Sequence, residues 1–121
     1  MTEHDIRQIE ARLGIRLPGG YRQFVLSQSL CDVFSDVEKV VAANEQRRQM
    51  SWLGRPLDRS FYVFGEDAGG RELFLDLDFP EPPVLAADHA HRRGRVLART
   101  FDEWLDRQNL EPVMHFLRRS L

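Results

Sequence analysis

FYVFGEDAGGRELFLDLDFPEPPVLAADH, Phe61 to His89, is the stretch whose reading decides the fold. Phe61 to Phe64 is apolar on both faces, which predicts a central strand. Glu66 to Gly70 follows as a turn, its two glycines allowing positive φ. From Glu72 to Phe79 the pattern alternates. Leu73, Leu75, Leu77 and Phe79 fall on one side, with Glu72, Phe74, Asp76 and Asp78 on the other, the signature of a half-buried strand. Pro80, Pro82 and Pro83 exclude regular ladder bonding in the connection that follows. Val84 to Ala87 and Val96 to Ala98 then read as short strands around the polar loop DHAHRRGR. The same stretch carries seven acids, Glu66, Asp67, Glu72, Asp76, Asp78, Glu81 and Asp88, against one base, Arg71. The apolar alternation predicts the core of a sheet, and the acids predict its most distinctive surface.

The elements on either side are helical. Thr2 and Asp5 have the spacing of a capping box, Ile6, Ile9 and Leu13 form one stripe, and Gly14 suits a left-handed stop. Leu17 is extended before Pro18, which can open a second helix with Tyr21, Phe24 and Val25 inward. Leu30 to Phe34 reads as an edge strand. Ser35 with Glu38 predicts the cap of a third helix bearing Val37, Val40 and Val41, with Arg47 and Arg48 near its end, where positive charge suits the dipole. Ser51 to Ser60 reads as a loop around Gly54 and Pro56, carrying Trp52, Leu53 and Leu57 as core cover or interface anchors. Thr100 and Glu103 make another capping box, opening a helix with Phe101, Trp104 and Leu105 on its buried face. Asn109 ends that helix and Pro112 can open a last one with Val113, Phe116 and Leu117. Helices, then strands, then helices predict one α+β domain over residues 1–121, an antiparallel-dominated sheet packed by N-terminal and C-terminal helices.

Composition narrows the function classes. A 42% hydrophobic and 30% charged chain of 121 residues is that of a soluble globular domain. A net charge of −2 offers no global attraction for nucleic acid or anionic lipid. The start, MTEHDIRQIE, lacks the apolar run of a signal peptide, and no stretch is long and apolar enough for a membrane helix. The single cysteine, Cys31, cannot form an intrachain disulfide and fits a reducing compartment. A cytoplasmic domain is the expectation, with neither membrane nor nucleic acid as a direct partner.

Several stretches taken together resemble the SUKH superfamily, in the branch typified by the fungal cell-wall-assembly regulator and its bacterial relatives. They are Leu17, Pro18, Tyr21 and Phe24 in LPGGYRQF; Gly65, Asp67, Gly69, Gly70 and Leu75-Asp76 in the acidic turn and the strand after it; Pro83-Val84; Asp88-His89; and Thr100-Phe101. The ordered set carries the resemblance, because each piece alone is common. The chain departs from it after the second helix, where members often carry Asn-Gly and this sequence has Ser29-Leu30-Cys31-Asp32. The resemblance implies an α+β domain with no catalytic centre and no cofactor. It implies that bacterial members bind and neutralise a toxin, often a nuclease, whereas the fungal member is a regulatory hub.

On that footing the acids Glu66, Asp67, Glu72, Asp76, Asp78, Glu81 and Asp88 are the candidate partner-binding residues. A nuclease must bind phosphate and is therefore basic, which suits a carboxylate surface. The competing reading makes Asp76 and Asp78 a solvated strand face and Asp67 a turn residue. A metal site from Asp76, Asp78, His89 and His91 lacks any feature bringing the pairs together, and none is expected. Cys31, between Leu30 and Val33, reads as a buried or edge thiol rather than a nucleophile, and no nucleophile elbow or P-loop is present. The basic group His91, Arg92, Arg93 and Arg95 suits a loop tip. The expected function is stoichiometric binding of a basic toxin. A regulatory module without a toxin partner and a small metal-dependent enzyme are the alternatives.

Overall fold

The computed structural model describes residues 1–49, 51–52, 55–56, 60–88 and 93–108, with the backbone alone for residues 51, 52, 55, 56, 88 and 93. Helix α1 spans Glu3–Leu13 and begins at the predicted capping box: the Thr2 hydroxyl accepts from the Asp5 amide at 3.1 Å, and the Asp5 carboxylate accepts from the Thr2 amide at 2.8 Å. It stops at Gly14, whose φ of 66° is the left-handed conformation that closes helices. Ile6, Ile9 and Leu13 are its buried stripe. Pro18 is extended and caps α2, Gly19–Ser27, which turns Tyr21, Phe24 and Val25 inward. Glu10 joins the two helices by accepting from the Leu17 amide at 2.8 Å and from the Arg22 guanidinium.

Helix α3, Val37–Arg48, is capped by Asp36 rather than Ser35: the Asp36 carboxylate accepts from the Glu38 amide at 3.2 Å. Glu38 is then free to pair with Arg12 of α1 at 2.6 Å, which two adjoining helices make possible and local spacing does not show. The loop expected over 51–60 contains a minimal hairpin, β1 (Ser51–Trp52) against β2 (Arg55–Pro56). The side chains of Trp52, Leu53 and Leu57 lie outside the described residues.

Among the described residues the main sheet has four antiparallel strands in the order β3 (Phe61–Glu66), β4 (Glu72–Asp76), β5 (Val84–Asp88) and β6 (Arg93–Ala98). Residues 101–108 form helix α4, opened by Thr100, whose hydroxyl accepts from the Glu103 amide at 3.1 Å. One face of the sheet (Tyr62, Phe64, Leu73, Leu75, Val84, Ala86 and Ala98) packs on Ile6, Ile9, Leu13, Tyr21, Phe24, Phe101 and Trp104. Edge-to-face aromatic contacts dominate there: Phe101 lies 5.6 Å from Tyr21, 5.8 Å from Phe24 and 5.5 Å from Phe64. The predicted signature residues Leu17, Tyr21, Phe24 and Phe101 are therefore core residues. The α+β architecture is that of the prediction. Residues from Asn109 onward, with the last helix expected from Pro112, lie outside the described residues.

Three readings of the strands need correction. β3 is not central; it is the end strand of the sheet, and its outer backbone groups are met by residues distant in sequence. β4 is not half-buried, because a second cluster of Val63, Phe74 and Ala87, joined by Phe34, Ala43 and Leu85, covers its other side. Glu72, Leu73, Phe74 and Leu75 are all buried. The strand also ends earlier than the alternation suggests. The Leu77 amide still donates to the Ser60 carbonyl opposite it at 2.6 Å, but a turn begins at Leu77, and Phe79 lies beyond the strand, 54% exposed. Residues 30–34 contribute a single bridge, Val33 to Gly65, rather than a strand, and Cys31 beside it is exposed. Here the chain passes so close that a side chain on Gly65 would bring its Cβ to 1.9 Å from the Asp32 carbonyl. That contact, not a positive φ, demands the glycine. The second turn glycine, Gly70, does take a φ of 81°.

Candidate partner-binding surface

The register of the hairpin separates the seven acids. Phe61 pairs with Asp76 at one end of β3–β4, and Glu66 pairs with Glu72 at the other. Four residue steps along a strand put those ends roughly 13 Å apart. Glu66, Asp67 and Glu72 thus stand at one end of the sheet, together with the backbone of Asp88, whose neighbour Ala87 pairs with Glu72. Asp76, Asp78 and Glu81 stand at the other.

At the first end two acids are engaged inside the fold. Asp67 organises the turn: its carboxylate accepts from the Gly69 amide at 3.0 Å, the Arg71 amide at 2.9 Å and the Arg71 guanidinium at 2.8 Å. Partial burial raises its pKa, but these bonds and the Arg71 charge outweigh it and hold the carboxyl below its usual range. Glu72 is 9% exposed and meets Arg47 of α3 through two bonds, one from Nε at 2.7 Å and one from Nη2. It is therefore not an outward acid. The reason is that α3 lies over the side of β4 that alternation had assigned to solvent. Glu66 is exposed.

The second end is different. Asp76 is half-buried and accepts from the Asp78 amide at 3.1 Å, while Asp78 and Glu81 are exposed. The proline connection carries Glu81 against the start of α2 and the start of α4. There Pro18, Gly19, Gly20, Pro80, Glu81, Pro82, Thr100, Phe101 and Asp102 line a groove of about 350 Å³. Asp102 also borders a second groove with Gly20, Gln23, Phe24 and Asp106. Asp78, Glu81, Asp102 and Asp106 are exposed and make no ion pair among the described residues. Phe79 stands beside Asp78, uncovered. Asp102 and Asp106 are additions to the sequence-based set. Their i, i+4 spacing opposite Phe101 and Trp104 was the available signal, since such a pair shares one helix face.

Among the described residues no group of His, Cys, Asp and Glu could hold a metal ion, and no helix is long and apolar enough to cross a membrane. His89, His91 and Arg92 lie outside the described residues, and of Arg93 only the backbone is described. Neither curated proteins nor solved structures provide a significant match to this chain. A family model does match, over residues 1–107, which takes in the Leu-Pro opening, the acidic glycine turn and the Thr100-Phe101 start of α4. The chain belongs to the SMI1 / KNR4 family (SUKH-1).

Proposed function

We propose that this protein is an immunity-type binding protein that neutralises a cognate toxin by occluding it one-to-one. The family includes toxin-immunity proteins and is generally non-catalytic. The observation that carries the reading is the exposed acid at one end of the sheet, Asp78, Glu81, Asp102 and Asp106, which makes no ion pair among the described residues and has the exposed Phe79 next to Asp78. Clustered carboxylates speed encounter with a positively charged partner, and an exposed aromatic ring adds apolar area to the contact. A nuclease is the toxin class whose own chemistry requires such positive charge. Glu66 and Asp88, at the far end of the sheet, lie outside this surface in the proposal. Asp67 and Glu72 serve the fold.

Co-expression with the toxin encoded beside the gene is the direct test. Restored growth and a one-to-one complex are the expected result; no protection and no complex overturn the proposal. Reversal of Asp78, Glu81 and Asp102 to lysine should slow association about tenfold or more at low salt, with the difference shrinking as salt rises. An unchanged association rate would move the interface away from this end of the sheet.

A further inference from the structure

The two edges of the main sheet are treated differently. Along β3 the outer backbone groups from Val63 to Glu66 are engaged. Asn44 bonds both groups of Val63, the Phe34 amide donates to the Phe64 carbonyl at 2.9 Å, and the Asp32 carbonyl accepts from the Glu66 amide at 2.9 Å. Along β6 nothing comparable exists among the described residues: the strand pairs with β5, and Arg107 of α4 takes only the Leu97 carbonyl. Gly94, Arg95 and Val96 are exposed, Val96 at 60%.

We propose that the outer edge of β6 is a docking site for an extended acidic segment of another polypeptide, taken up as a fifth strand. The usable length is the regular run Arg93–Val96, because a bulge interrupts the register between Val84↔Ala98 and Leu85↔Val96 and leaves Leu97 unpaired. That run spans about 10 Å, and every second residue turns its N–H and C=O outward. The side chains set the partner's chemistry. Arg95 pairs opposite Ala86 and Val96 opposite Leu85, so they stand on opposite faces of the sheet. Arg95 and Arg99 are exposed and make no ion pair among the described residues. Arg95 also borders a groove with Arg71, Arg107 and Trp104, where Arg71 is paired with Asp67 and Arg107 with Glu103, so that Arg95 is the arginine there with no ion pair among the described residues.

A segment alternating acid and apolar residues would set carboxylates beside Arg95 and apolar side chains beside Val96. A second copy of β6 is the disfavoured occupant, because an antiparallel self-pair would bring arginine against arginine, the usual way an edge is blunted against its own kind. The site differs in surface and in charge from the acidic end of the sheet, and it does not rest on the toxin-binding reading.

The test uses the full chain, isotope-labelled for NMR, and an acetylated, amidated hexapeptide of alternating glutamate and valine, with a lysine–valine hexapeptide as control. The expected result is perturbation and slower exchange of the Gly94–Val96 amides with the glutamate peptide and a several-fold or greater preference over the lysine peptide. Arg95→Glu should reverse that preference and Arg95→Lys preserve it, with the remaining spectrum unchanged in both. Equal binding of the two peptides, perturbation confined to other strands, or protection of the same amides through dimerisation of the free chain would each overturn the proposal.

Discussion

The carboxamide of Asn44 stands in for a missing strand beside Val63: Nδ2 donates to the Val63 carbonyl at 2.9 Å and Oδ1 accepts from the Val63 amide at 2.8 Å. Nδ2 also donates to the Val40 carbonyl at 2.9 Å, so one side chain joins α3 to the end of the sheet. Asn44 is 2% exposed, where unsatisfied backbone groups are costly.

Asn44→Ala should therefore destabilise the protein by about 2–4 kcal/mol, since it strands a buried donor and a buried acceptor at once. Asn44→Asp should do no better, because it keeps the acceptor but replaces the donor with a buried charge. Urea unfolding measures both changes, and amide exchange at Val63 localises them. A loss below about 1 kcal/mol in Asn44→Ala would show that water replaces the carboxamide.

Tyr21 and Tyr62, the only tyrosines in the chain, share a hydrogen bond between hydroxyls at 2.7 Å inside the core. Burial pushes the Tyr21 hydroxyl up to about 12, only partly offset by its bond to Tyr62. Burial raises Tyr62 well above 10, with its neighbour acting in the same direction. Both raised values favour the neutral form in the native state. Stability is thus insensitive to these groups below the unfolded value near 10 and falls as pH rises toward the folded values. Ultraviolet titration should show almost no phenolate until well above pH 10, and its appearance should coincide with unfolding. Phenolate appearing near pH 10 in folded protein would contradict the buried pair.

Arg47 and Glu72 join α3 to β4 with little exposure on either side chain, 17% and 11%. Glu72→Ala should cost about 3 kcal/mol by removing one partner of a mostly buried ion pair. Replacing both, as Arg47→Met with Glu72→Leu, should recover most of that loss. A double-mutant cycle by urea unfolding reads the coupling, and a coupling near zero would mean that solvent screens the pair.

Asp67 supplies a pH test of the turn. Its depressed pKa means that its contribution to stability is fully present above the unfolded value near 3.9 and is lost as pH falls through the lower folded value. Asp67→Asn should be less stable than the parent at neutral pH, and the gap should narrow as pH drops below about 4. A constant gap across that range would show that the carboxylate charge does not hold the turn.

Much of the architecture was legible because it is encoded in neighbouring residues. The Thr2–Asp5 box, Gly14 at the end of α1, the positive φ of Gly70 and the stripes of α1 and α2 depend on contacts within a turn or two. The family resemblance worked in the same way, reading short pieces in order. The Asp36 cap was missed by one residue because Ser35 and Asp36 are both good caps, and only the helix start separates them. The face of β4 carrying Glu72 and Phe74 was misread because polar alternation reports solvent only when nothing else covers that face.

By itself, the sequence determined the α+β class, the positions of the main strands and helices, and the acid content of the central hairpin. Tertiary structure decided which acids remain outward. Arg47 and Glu72 are 25 residues apart, Asn44 and Val63 are 19, and Tyr21 and Tyr62 are 41. No local period encodes pairings of that range. They depend on where α2 and α3 come to rest, and that placement withdraws Glu72 from the surface. The strand register, in turn, sends Glu66 and Asp78 to opposite ends of the sheet.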